Sequence, residues 1–305
     1  MDLRANGGQK MRDYNHISPD GFPEDIRSDR LYRDDIKETS ADSFFDDEEY
    51  AFLAMIAQSN GETAVLARLI LRNEVAELEP MLENDDSLIP RCYENEDLAR
   101  VVVLGLRFGV AHGDGACANY LGALHYLGDL VPQDYDRARE LYELAESRGV
   151  PQAIVNLGYI YEYGRCGEPD HLRAYMQYAK AAALFGHFEA LYKLGDMYLR
   201  ARVVPRDPHT AYALYERSLR EAHSIVAKAQ PAFRIAELIS DRANAEWDIP
   251  YDPVGALTLY QMAEQGLRID IAHGQVYYQK RLQEAMRGQE RMRAILDDPE
   301  FWRQP

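Results

Sequence analysis

The chain has 305 residues and a mass of 34.9 kDa, which suits two domains or one elongated array of repeats. Its 34 basic side chains stand against 51 acidic ones, a net charge of −17, which argues against direct binding to nucleic-acid phosphates or anionic lipid. Cys92, Cys117 and Cys166 show no CxxC spacing, which argues against a disulfide framework or structural zinc and fits reduced thiols.

In chain order, the opening stretch MDLRANGGQKMRDYNH lacks the apolar core of a secretory signal. Ala64 to Leu71, a candidate apolar stretch, contains Arg68 and is too short to span a bilayer. A cytoplasmic chain is expected, with no membrane association. Residues 1–42 read as an acidic, disordered leader, because twelve acids meet only four bases between Asp20 and Glu49. A second reading makes it an arm that folds on a partner, or back into the chain's own groove, through Phe22, Tyr32, Phe44 and Phe45.

Residues 43–94 are expected to form an N-terminal helical extension. Asp46 to Glu49 precede Phe52, Leu53, Met55 and Ile56, the charge order of a helix start. Asn60-Gly61 breaks that helix. Val65, Leu66, Leu69 and Ile70 share the next face, and Val75, Leu78, Met81 and Leu82 follow it. Asn84-Asp85-Asp86 and Pro90 are expected to end the block.

From Asn95 onward helix-period runs alternate with short breaks, and the sequence repeats itself. Leu121-Gly122 recurs as Leu157-Gly158 after 36 residues and as Leu194-Gly195 after 37 more. Gly128, Gly164 and Ala201 hold the same register, as do Ala138, Ala174 and Ala211, then Tyr142, Tyr178 and Tyr215, then Ala145, Ala181 and Ser218. Each unit reads as a first helix with Leu-Gly, a Gly-closed loop, an Asp-bearing turn and a second helix with A-x3-Y-x2-A. The small residue permits close helix approach, and the tyrosines fill space between helices. Such a unit cannot bury its apolar face alone, so units must stack.

The pattern A-x3-L-G-x2-Y-x2-G followed by A-x3-Y-x2-A resembles the Sel-one-like repeat, a relative of the tetratricopeptide repeat. Ala153, Leu157, Gly158, Tyr161, Gly164, Ala174, Tyr178 and Ala181 carry it best, and the resemblance covers about residues 114–223. It implies an all-α, right-handed solenoid of helix-turn-helix repeats over residues 95–268, with capping helices and a tail over residues 269–305. A degenerate fourth unit has Ile235-Ala236 for Leu-Gly, and Ala256, Tyr260 and Ala263 restore its second helix. From Ile239 to Ala256 is 17 residues where the earlier units use 13, an insertion that includes Trp247, Ile249 and Pro250.

The sequence offers no catalytic constellation: no HExxH, GxSxG, Walker-type loop or strand-placed GxGxxG. No cofactor, metal or enzymatic activity is expected. His125, in the slot that Tyr161 and Tyr198 occupy later, reads as packed between helices. Cys166, beside Arg165, reads as a loop thiol, and Asp46 to Glu49 as helix-start charge, since a Ca2+ loop needs spaced ligands.

In tetratricopeptide-type arrays the first helices line a concave groove, so the resemblance implies a site at their outward positions. These are Tyr126 from the first unit, then Tyr159, Glu162 and Tyr163 from the second. Glu189, Tyr192, Asp196 and Arg200 follow from the third, and Phe233, Glu237 and Asp241 from the fourth. Acids interleaved with aromatics suit a basic, partly apolar protein partner. The expected function is non-catalytic protein binding, as an immunity-type inhibitor of a toxin or effector. The alternatives are a general adaptor for a signalling or secretion assembly, or an acidic nucleic-acid mimic.

Overall fold

The computed structural model describes residues 40–74 and 88–303. The leader's remaining residues and the run Val75, Leu78, Met81 and Leu82 lie outside the described residues. The chain divides into two units, residues 1–138 and 139–305. Helices and short 3-10 turns account for the regular structure, with no strand among the described residues.

The first unit holds α1 (Ala41–Phe44), α2 (Asp47–Ala57), α3 (Glu62–Leu71), α4 (Leu88–Glu94), α5 (Glu96–Ala111) and α6 (Gly115–Leu127). The Asp46 carboxylate accepts from the Glu49 N–H and Glu48 and Glu49 extend the acidic first turn, so the acid run is a helix start as its charge order implies. Pro90 does not end the block: it sits in the first turn of α4, where its missing N–H costs nothing. Phe45 is buried, stacked 5.4 Å from Phe108, and Phe44 meets the same ring edge-on. Phe45 is therefore core of the first unit and half-buried Phe44 packs beside it, so neither is held for a partner or for the groove of the repeats.

The chain continues through α7 (Tyr135–Ser147). The second unit then holds α8 (Pro151–Glu162), α9 (His171–Phe185), α10 (Phe188–Leu199), α11 (Pro208–Glu221), α12 (Ile225–Ile239), α13 (Pro253–Ala272) and α14 (Gln279–Leu296). Helices adjacent in sequence from α8 to α14 pack on one another, and the first helices α10 and α12 also touch, as do α12 and α14. The second unit is thus an all-α stack of helix pairs. The helix α13 runs on to Ala272, past the expected boundary at residue 268.

The repeat register has a backbone cause. The N–H groups of Asp134, Asp170, Asp207 and Asp252 donate to the carbonyls of His125, Tyr161, Tyr198 and Ile239 at 2.9, 2.8, 3.1 and 2.9 Å. Each of these Asp carboxylates also accepts an N–H three residues on, capping the second helix of its unit. The slot held by His125, Tyr161, Tyr198 and Ile239 contributes its carbonyl, so its side chain is free to vary. His125 is buried, its Nδ1–H donating to the Pro132 carbonyl at 3.2 Å, and burial lowers its pKa.

The small residues sit where close approach requires them. A Cβ on Gly158 would lie 2.3 Å from Tyr178 Cε1, and one on Gly195 would lie 2.4 Å from Tyr215 Cε1. Tyr178, Tyr215 and Tyr260 are sealed between helices. The insertion in the fourth unit folds as a 3-10 turn, Arg242–Trp247, with Ile249 tucked beneath it.

Candidate functional site

Each sealed tyrosine needs a partner for its hydroxyl, and each finds a carboxylate on the first helix of its own unit. Tyr178 donates to Glu162 at 2.9 Å, Tyr215 to Asp196 at 2.8 Å, and Tyr260 to Glu237. Burial, with the adjacent carboxylate second, raises Tyr178 and Tyr215 well above the ordinary phenol range. Burial and the bond to Glu237 push Tyr260 up to about 12. These phenols stay protonated and donate.

The carboxylates in turn take cations from the next first helix. Lys193 Nζ on α10 lies 2.6 Å from Glu162 Oε2, and Arg202 lies 2.9 Å from the other oxygen. Arg234 on α12 grips Asp196 with two N–H groups at 2.6 and 2.7 Å. Arg291 on α14 lies 3.1 Å from Glu237. Burial alone would raise the Asp196 carboxyl, but the Arg234 guanidinium overrides it and holds Asp196 below the usual carboxylate range. A ladder of tyrosine, carboxylate and cation therefore ties α8, α10, α12 and α14 together.

The sequence-derived site residues distribute unevenly along this ladder. Glu162 and Asp196 are buried and ion-paired, which corrects the expectation that they face outward to a partner. Tyr192 and Phe233 are likewise buried, with Arg234 4.5 Å over the first ring and Arg281 4.4 Å over the second. Glu189 is half-buried and accepts from Tyr159, from Tyr192 at 3.0 Å and from Gln152 at 3.1 Å. Burial, then Glu189, raises Tyr159 and Tyr192. Tyr163 is 49% exposed, stacked 5.9 Å from Tyr159 while accepting a hydrogen bond from Lys193. Arg200 and Glu237 are exposed, and Asp241 is exposed while capping the 3-10 turn through the Ala243 N–H. Tyr126, in the first unit, is half-buried and packs edge-on against Tyr135.

Sequence reasoning missed the cations. Lys193 and Arg234 each stand two residues before the small residue of their units, Gly195 and Ala236, so the repeat register itself carried that signal. Lys193 is further enclosed by the rings of Tyr159, Tyr163 and Tyr178 at 4.5, 5.1 and 5.6 Å. Also missed was a cavity of about 730 Å3 where Arg200, Phe233 and Glu237 face α14. Among the described residues, no group of three or more His, Cys, Asp or Glu side chains is placed to hold a metal ion. Nor is any helix among them long and apolar enough to cross a membrane.

The Sel1 repeat matches residues 115–150, 151–184 and 188–223. Among solved structures, the chain is similar to a protective antigen present in uropathogenic Escherichia coli strains that displays an SLR fold. Identity is 19% and the TM-score 0.47, over 75% of this chain and 56% of that one. It is also similar to a Sel1 repeat protein from Oxalobacter formigenes, with 27% identity and a TM-score of 0.36, over 40% of this chain and 91% of that one. No curated protein sequence matches the chain.

Proposed function

We propose that the protein is a non-catalytic protein-binding module, since residues 115–150, 151–184 and 188–223 match the Sel1 repeat, a module that generally mediates protein–protein interaction. Its binding surface is the row of first helices α8, α10 and α12, continued by α14. The observation that carries this reading is the ladder: side chains that tie four helices into one row leave Tyr163 and Arg200 standing exposed on it. Aromatic and arginine side chains are the common anchors of protein interfaces.

The ladder also bears on the partner. Glu162 and Asp196 are buried and each carries a cation from a neighbouring helix, and exposed Glu237 is paired with Arg291, so all three are already neutralised by the protein's own cations. A nucleic-acid mimic needs a row of unneutralised acids, and a basic partner would find few on this face. Inhibition of a toxin or effector and service as an adaptor are both uses of such a module, and the captured protein decides between them.

Affinity capture with the tagged full chain tests the reading. Tyr163→Ala should weaken retention of the captured protein by about 2 kcal/mol if the tyrosine is an anchor. Met176, 61% exposed on α9, supplies the control. Capture that survives Tyr163→Ala and fails with Met176→Asp would move the interface to the second helices.

A further inference from the structure

The last described helix, α14, is written as a stripe. Lys280, Glu284, Arg287 and Arg291 fall at i, i+4, i+7 and i+11, so they share one face. A neighbouring face buries Ala285, Gly288 and Met292, with the Tyr260 ring against Gly288. The first turn of α14 holds Lys280 and Arg281, no acid and no side-chain cap, whereas Asp207 and Asp252 cap α11 and α13. Cations at a helix N-terminus oppose its dipole, so this placement works against the helix itself.

The stripe opens on the cavity of about 730 Å3, closed on the other side by Arg200, Phe233 and Glu237. Five cations and three carboxylates line it, a positive surplus in a protein of net charge −17. Arg291 is held by Glu237, and Arg281 lies on the Phe233 ring with Glu284 3.4 Å away. Among the described residues, Arg200, Lys280 and Arg287 make no hydrogen bond or ion pair. Burial, then Arg234, lowers the Arg281 pKa, while Glu284 and Asp196 oppose the shift.

We propose that this cleft binds an acidic segment of a protein partner, its carboxylates reaching Arg200, Lys280 and Arg287. The proposal rests on the protein-binding reading above and names the chemistry of the partner at one end of that row. Glu284 and Glu290 interleave the cations, a spacing that suits carboxylates set along a peptide and repels the dense charge of a polyphosphate.

The test is fluorescence anisotropy of a labelled Glu/Leu peptide with the full chain, beside a labelled Lys/Leu peptide and inorganic triphosphate as competitor. The acidic peptide should bind saturably, more weakly as salt rises from about 0.05 M to about 0.5 M. Lys280→Glu with Arg287→Glu should weaken it about tenfold, while Arg220→Glu, exposed on α11, changes it less than about twofold. Both charge-reversed side chains are exposed, and circular dichroism of the variant confirms an intact fold. Absence of acidic-peptide binding, equal loss with Arg220→Glu, or complete displacement by an equimolar amount of triphosphate would each overturn the proposal. If affinity capture through Tyr163 succeeds while the acidic peptide fails, this inference alone falls. If both fail, the protein-binding reading falls with it.

Discussion

Lys193 Nζ lies 2.6 Å from Glu162 Oε2, and both side chains are sealed from solvent although they come from different repeats. An ion pair in that position contributes little net stability when intact, but removing one partner leaves a buried charge. Lys193→Met should cost about 3 kcal/mol, the low end of the usual range because Arg202 still holds Glu162. Adding Glu162→Gln should recover part of that loss. Chemical denaturation of both singles and the double checks this, and strictly additive losses would show that the two residues act independently.

Asp196 and Arg234 predict a pH dependence. The folded carboxyl is held below its unfolded value near ~3.9, so its stabilisation is full above that pH and drains away as pH falls through the lower folded value. Wild-type urea midpoints should therefore drop as pH falls below about 4. Asp196→Asn, already destabilised by the unpaired Arg234, should show a shallower drop over the same range. Parallel slopes would remove Asp196 from the account.

Gly158 predicts an overpacking cost. An added Cβ would meet Tyr178 Cε1 at 2.3 Å, and Tyr178 is sealed, so the ring has no free volume to enter. Gly158→Ala should cost ~1–3 kcal/mol through this clash, exceeding the ~1 kcal/mol gained in helix propensity. Thermal unfolding of Gly158→Ala measures the balance, and a raised midpoint would mean that the helices part without cost.

Much of this was legible in the sequence, for reasons visible in particular residues. Gly158 and Tyr178 recur in register because the pair is one local contact repeated, and local contacts leave periodic marks. The ladder was harder to read. Glu162, Asp196 and Glu237 look like groove acids, since a helical wheel cannot show that Lys193, Arg234 and Arg291 arrive from another helix. Burial of Glu162 and Asp196 is decided by how neighbouring helices stack. Pro90 misled for a smaller reason: a proline ends one helix and starts another with equal ease.

Ala201 predicts a stabilising change. It occupies the slot of Gly128 and Gly164 and takes their left-handed conformation, at φ 53°. That geometry costs a Cβ-bearing residue ~1–2 kcal/mol, while glycine loses ~0.5–1 kcal/mol more in chain entropy. Ala201→Gly should therefore stabilise the protein by about 0.5–1 kcal/mol. Denaturation midpoints check it, and a destabilised variant would show that the turn is not strained.

Hydrogen exchange of the full chain, alone and with the protein it captures, tests the central claim that the row of first helices binds a protein partner. Added protection on binding should concentrate in α8, α10, α12 and α14, greatest around Tyr163, Arg200 and the first turns of α14, with α9, α11 and α13 little changed. Protection confined to α9, α11 and α13, with the first helices exchanging as in the free protein, would contradict it.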